Sequence, residues 1–399
     1  MGFLYINSNG DEITRHSYSA GLEFDQSPIK FYLRRILGWR ERDSKAALLF
    51  GRALESAIQF YHEHDGHGGV EEFVRLWVVH KANDKLVYTA REGNWESLNR
   101  AGMEMMKLYA IRQPSLPIPL NTRFQRDFLK EVFPGHERFG GIDFYGKLDA
   151  MPNAAPDHPM LVPIPWKESY GLFRPLIVDI KTSGVDLDDT KGIVAHDLQL
   201  RTYSWLTGIF DVAFLWFKKS GHELQKGTSI TLLEDAGGHP AGSEAVVAQM
   251  NKDDDTVYLL KDDTAMEEMH KVQGRKENGD LDTTKAAKER KASWLAEYAA
   301  LVPRSKVTRQ RLQFASAMVD PKSAADAGQV AANQIARIVN AWDSNKWPNT
   351  FGIRFPHDDR RDPFFRAFVL KDNVFRDGMF EQKHDEFFDD EYEGEGEIE

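Results

Sequence analysis

Leu176-Ile177-Val178-Asp179-Ile180-Lys181-Thr182-Ser183 is the stretch on which the fold turns. Its leading apolar residues predict a buried strand, and a carboxylate and an ammonium appear at its end. Side chains two apart in a strand share a face, so Asp179 and Lys181 stand together while Ile180 turns to the core. A carboxylate there can hold a hard divalent cation, and the amine can orient or help deprotonate an attacking water. An ordinary strand-end ion pair has the same pattern, so the surrounding segments must decide.

Upstream, Phe144-Tyr145-Gly146-Lys147-Leu148-Asp149-Ala150-Met151 reads as a second strand carrying a carboxylate. A metal that activates water needs oxygen ligands from separate elements, and Asp149 and Asp179 on neighbouring strands can supply two. Asp143 is a rival for that place, and a turn aspartate ahead of Pro152 is the plain alternative. Downstream, Gln199 and Tyr203 lie four apart and share a helix face, suited to bonding a phosphate or a metal-bound water. A surface helix with a half-buried tyrosine fits them equally. Earlier, Gly51-Arg52-Ala53-Leu54-Glu55 sits in an apolar helical pattern, where glycine admits a close backbone and Glu55 follows one turn on.

The order of patterns predicts an α/β protein. Helices are expected near 28–38, 45–63, 70–84 and 94–112, strands over 124–133, 139–145, 146–151, 176–181 and 212–218, and a helix near 196–208. This divides the chain into a helical part (1–120), a strand-rich core (121–234), a polar, less regular accessory insertion (235–306), and a strand (307–319) and long helix (321–343) returning to the core (307–384). Residues 385–399 form an acidic tail expected to be disordered.

Among 399 residues there is no cysteine, which excludes disulfides, thiolate zinc sites, iron–sulfur clusters and a cysteine nucleophile. No apolar run reaches the roughly 18 residues of a membrane helix, and the start lacks the basic and apolar regions of a signal peptide, so a cytoplasmic location without a membrane partner is expected. The net charge of −11 argues against nucleic acid at first sight. Nine acids with no base fall within residues 385–399, however, and the remainder stands at −2. Charge distribution, not its sum, governs such binding.

In this order the segments resemble the PD-(D/E)xK nuclease superfamily, in its RecB-like, lambda-type exonuclease branch. The family pattern runs S-x-S, CP-x-x-F-Y-L, G-x-x-x-H/E, G-x-x-D, D-x-K-T-S and Q-x-x-x-Y. Here it is matched by Ser17 to Ser19, Ser27 to Leu33, Gly51 to Glu55, Gly146 to Asp149, Asp179 to Ser183 and Gln199 to Tyr203. The resemblance implies a restriction-endonuclease-like core, with a mixed central sheet flanked by helices, an N-terminal helical region and an inserted accessory region. It implies a Mg²⁺- or Mn²⁺-dependent deoxyribonuclease, most often an exonuclease of DNA recombination, repair or phage DNA metabolism. A restriction-type endonuclease and a silent DNA-binding scaffold are the alternatives. Asp149, Asp179, the Ile180 carbonyl and Glu55 would hold the metal, Lys181 would position water or stabilise the transition state, and Gln199 and Tyr203 would orient Lys181 and the DNA backbone. DNA is the implied partner, with a separate helicase, recombinase or single-strand-binding protein beside it. Many relatives carry His where Glu55 stands, and iron–sulfur members carry Cys where Ser27 stands, so no cluster is expected here. The segment from Trp347 to Phe365 likewise lacks the further cysteines.

Other signals weigh less. Gly141 to Leu148 nearly spells a P-loop but ends on Leu148, which offers no hydroxyl to Mg²⁺, so no nucleotide cofactor is expected. His62, His64 and His67 miss the H-E-x-x-H spacing and read as a helix end. Lys285 to Arg311 holds eight bases and two acids around an apolar stripe of Trp294, Leu295, Tyr298 and Leu301, which is either a phosphate-binding or a solvated face. Lys30, Arg34, Arg35, Arg40 and Arg42 form a second candidate phosphate surface.

Overall fold

The computed structural model describes residues 2–90, 93–152, 175–188, 192–221, 223–251, 254–276, 278–348 and 363–382. The acidic tail and most of the Trp347-to-Phe365 segment lie outside them. Strand β1 (Arg15–Ser17) leads into helix α1 (Tyr18–Gln26), followed by α2 (Ala46–Glu63), α3 (Gly69–Val78) and α4 (Trp95–Arg112). Then come β2 (Arg123–Glu131), β3 (Asp143–Met151), β4 (Ile177–Ser183), α5 (Leu198–Thr207) and β5 (Asp211–Lys218). Strands β6 (Ser229–Leu232), β7 (Glu244–Asn251) and β8 (Thr256–Leu260) are followed by α6 (Asp263–Gln273) and α7 (Lys285–Tyr298). Finally β9 (Ala300–Pro303), β10 (Val307–Thr308), β11 (Arg311–Met318) and α8 (Pro321–Ser344) complete the main elements.

The central sheet is mixed. Its order is β11-β5-β4-β3-β1, with β2 along the other edge of β3. Strands β4 and β5 are parallel, as are β1 and β3, while β2, β3, β4 and β11 make antiparallel pairs. Strand β5 shows why both faces are covered. Ala213, Leu215 and Phe217 pack under Phe50, Leu54, Trp77 and Tyr109 of α2, α3 and α4, whereas Val212 and Phe214 pack with Leu200 of α5 and Ala324 of α8. A strand buried on both faces reads as a continuous apolar run, as this one does. Among the described residues no helix is long and apolar enough to cross a membrane.

Two strands expected from sequence, 139–145 and 146–151, form the single strand β3, because residues 133–142 turn before it. The expected helix at 28–38 is a short α-turn (Pro28–Phe31) followed by a wide π-type turn (Tyr32–Ile36). The accessory region, read as irregular, is a second antiparallel sheet in the order β9-β8-β7-β6-β10, with α6 and α7 on one side. It begins at Ser229 and has its own core of Ile230, Leu232, Val247, Val257 and Leu259. Residues 307–319, read as one strand, divide: β10 joins the second sheet and β11 the central one. Gln310 makes the break. Fully buried, it accepts from Ser220 N–H at 2.8 Å and donates to Ser220 O at 3.0 Å, binding the crossing chains together.

Candidate active site

Strands β3 and β4 meet at one residue pair, Ala150 opposite Val178. There the ladder stops, and the Asp149 carboxylate takes the place of a strand carbonyl, accepting the Ile180 N–H at 2.7 Å. Asp143 lies at the opposite end of the same strand, six residues or about 20 Å from Asp149, which removes it as a rival.

On β4, Val178 and Ile180 pack toward the α2–α4 layer, and Asp179 and Lys181 face α5. Lys181 Nζ donates to Asp179 Oδ1 at 3.1 Å and lies 2.9 Å from Oδ2. It also donates to Gln199 Oε1 at 3.0 Å, and Gln199 Nε2 donates to the Tyr203 hydroxyl at 3.0 Å. One helix face thus aims an amide at the lysine and anchors it on a tyrosine. Gly146 is what lets that helix approach: a Cβ there would lie 2.6 Å from Leu206 and 3.2 Å from the Tyr203 ring. Gly51 has no such duty, since a Cβ would meet Thr182 Oγ1 at an ordinary 3.4 Å.

Glu55, half-buried on α2, accepts a hydrogen bond from Gln125 Nε2. Sequence reading missed Gln125. The β2–β3 register sets it opposite Asp149, and its φ of +52° is rare for a residue with a side chain. Nothing in its local sequence marks it; only the cross-strand register does. Two more residues join the site unforeseen. Asp197 caps α5 by accepting from Leu200 N at 2.9 Å, and Tyr18 opens α1. The capping pattern before α5 was readable.

The charges here are crowded. Burial, then the neighbouring Glu55 and Asp179 charges, raise the Asp149 carboxyl well above its ordinary range, against opposition from Lys181 and the Ile180 N–H. Burial also raises Asp179, which is 1% exposed, although Lys181 pulls it back; Asp197 pushes it further up. For Lys181, burial disfavours the charge, but Asp179 and Asp149 outweigh it and hold the ammonium above its usual range. Tyr18 is raised by burial and by Asp197, so its hydroxyl keeps its proton.

The donor chemistry fits a hard divalent cation: the buried Asp179 carboxylate, the half-buried Asp149 carboxylate and the Ile180 peptide come together, and Asp179 Oδ2 is buried without a well-directed hydrogen bond. Among the described residues, no group of three or more His, Cys, Asp or Glu is placed to hold a metal ion. Glu55 influences Asp149 electrostatically while its carboxylate is engaged by Gln125.

The first-motif residues do structural work. Ser17 caps α1, and Ser27 caps the Pro28–Phe31 turn by accepting from Lys30 N at 3.3 Å. The cations read there as a phosphate surface are mostly spent inward. Arg34 and Arg35 bond Glu23 at 2.7 and 2.9 Å, Arg40 donates to Arg34 O, Arg42 donates to Phe380 O, and Lys30 lies over the Phe364 ring. The three histidines part company. His62 is buried against the Tyr109 hydroxyl and Pro119 O, while His64 and His67 bond local carbonyls.

No family model matches the chain, and no curated protein matches it in sequence. One solved structure, titled the crystal structure of SSO0001, is similar at 14% identity, covering 47% of this chain and 69% of that one with a TM-score of 0.18. A likeness that slight carries no argument about either fold or function.

Proposed function

We propose that the protein is a Mg²⁺- or Mn²⁺-dependent DNA nuclease on a restriction-endonuclease-like core, acting as an exonuclease in the manner of the RecB-like branch. One observation carries this reading: the chain Asp179–Lys181–Gln199–Tyr203 stands beside Asp149 where strand pairing ends. A mere strand-end ion pair needs neither the amide nor the second carboxylate.

Asp149, Asp179 and the Ile180 carbonyl would hold the cation, with Glu55 next in reach once it leaves Gln125. When bound, the cation supplies charge neutralisation and an acidified water. The protein's own groups do the rest. Lys181 stays protonated, which suits it to orient water and to stabilise the anionic phosphorus centre by donation, not to accept a proton. Gln199 fixes its direction, so the donor needs no reorganisation as charge develops.

The test uses end-labelled linear DNA and covalently closed circular DNA with Mg²⁺ or Mn²⁺. Loss of the linear form alone is expected, and Lys181→Ala should stop it while leaving DNA binding in place. Discrete fragments from circles would instead mark an endonuclease. Binding without cleavage under both metals, or an unchanged rate in the variant, would overturn the site.

A further inference from the structure

The bases at the C-terminal end of the run Lys285 to Arg311 do not lie on the α7 helix. Arg304 and Arg309 fall between β9 and β11 and line a cleft of about 260 Å³ against α4, which adds Arg100 and Lys107. Four cations thus surround a cleft with one acid in its lining, Glu104. That acid is committed to the frame: its Oε2 accepts from the Thr308 hydroxyl at 2.6 Å and from Gln310 at 3.4 Å. Arg100 reaches Glu104 only at 4.0 Å, and Lys107 reaches Glu234 at 3.9 Å, both at the far edge of ion pairing. Arg309 donates to Glu223 O, which sets its guanidinium in place. Met103, Leu224 and Leu233 give the same cleft an apolar wall.

We propose that this cleft binds one nucleotide unit, its phosphate among Arg100, Lys107, Arg304 and Arg309 and its base against the wall of Met103, Leu224 and Leu233. Cations around an apolar slot match a group that is anionic at one end and flat and weakly polar at the other. The volume admits about one such unit, near the lower end of ligand pockets. The frame is tied to the crossing chains, because buried Gln310 bonds both the Ser220 backbone and Glu104 of the cleft. The unit belongs either to a single strand passing over the accessory sheet or to a free mononucleotide. None of these residues belongs to the Asp149–Tyr203 cluster, so the binding stands apart from cleavage.

The experiment is a fluorescence-anisotropy titration of a labelled single-stranded deoxyoligonucleotide of about 12 residues, in EDTA, over a range of salt. Arg100→Ala with Lys107→Ala removes two cations whose side chains are 57% and 40% exposed, so folding is spared. Affinity should fall about tenfold, and the salt slope should shrink by about 0.7, the share of one phosphate contact on a single strand. Lys285→Ala with Lys288→Ala serves as the control and should change both far less. Displacement of the oligonucleotide by millimolar deoxynucleoside monophosphate, and not by inorganic phosphate, identifies a free nucleotide; no displacement alongside the cleft-variant loss identifies the strand. An unchanged affinity and slope in the cleft variant, or an equal loss in the control, overturns the proposal. Because divalent metal is absent, failure of the nuclease reading leaves this result intact.

Discussion

Replacing Lys181 by Met separates the ion pair from the chemistry. Asp179 is 1% exposed, and its main compensation is Lys181, 2.9 Å away. At an effective dielectric constant of 20 that attraction is about 6 kcal/mol before desolvation is subtracted. Removing one partner of a fully buried pair costs about 3–5 kcal/mol, because the other charge stays behind. The Lys181 side chain is 37% exposed, so water screens part of this, and a loss of about 2–3 kcal/mol is expected. Asp179→Asn in the same chain removes the stranded charge, and the double variant should return to within about 1 kcal/mol of the parent. Urea denaturation in EDTA at pH 8 measures all four corners of the cycle. The deficit of the single variant should lessen on acidification, since the stranded Asp179 takes up a proton more readily in the folded chain than in the unfolded one. A single variant no less stable than the double would refute the argument that Lys181 compensates a buried carboxylate. Cleavage should be lost in all three variants regardless of stability, which separates the two roles of the lysine.

Other outcomes follow from the same geometry. Asp149→Asn keeps an oxygen for the Ile180 N–H while removing a crowded charge. The raised carboxyl makes stability fall as pH rises through its folded value, so above that pH the variant should be about 1–2 kcal/mol more stable in EDTA yet inactive. For a site of about 1 mM affinity, 10 mM Mg²⁺ should stabilise the parent by about 1.4 kcal/mol and this variant not at all; equal responses in thermal melts would deny Asp149 a part in metal binding. Gln125→Gly trades the bond to Glu55 for relief of a positive φ and should be near neutral, whereas Gln125→Ala loses the bond without the relief and should lie about 1 kcal/mol lower. His16, buried on Gln334, is pushed down to about 4 from 6.5, mainly by burial. Above pH 6.5 it is neutral in both states; on acidification to pH 4 the unfolded chain binds the proton first, costing about 3 kcal/mol that His16→Asn should not show.

The parts legible in sequence were those governed by short-range rules. Helix periodicity placed 45–63 and 321–343 within a residue of α2 and α8, and two-residue alternation set Asp179 and Lys181 on one face of β4. The spacing of Gln199 and Tyr203 fixed their shared helix face, and the structure brings that face onto Lys181. What escaped depends on contacts distant in sequence. Gln125 matters through its register opposite Asp149, which no local pattern encodes. The division of 307–319 rests on Gln310 gripping Ser220, ninety residues away. The cations of Lys30 to Arg42 were misread for the same reason, because Glu23 and Phe380 claim their donors only after folding.

The site and the defect in the sheet are the same feature. Had β3 and β4 continued pairing beyond Ala150 and Val178, the Ile180 N–H would have met a backbone carbonyl, and Asp149 would have had no buried partner. Because the ladder stops, a side-chain carboxylate must supply that acceptor, and it does so within electrostatic reach of two further acids. Satisfying the backbone therefore requires the crowding that raises Asp149. Lys181 answers part of it from one side, held by Gln199 and Tyr203. On the other side Glu55 is restrained by a glutamine whose own backbone is in a costly conformation. Strain, crowding and a buried oxygen without a well-directed hydrogen bond fall on three neighbouring strands, at Gln125 of β2, Asp149 of β3 and Asp179 of β4. A fold selected for stability alone would have closed that gap with an apolar pair, and the cation site proposed above supplies a reason for leaving it open.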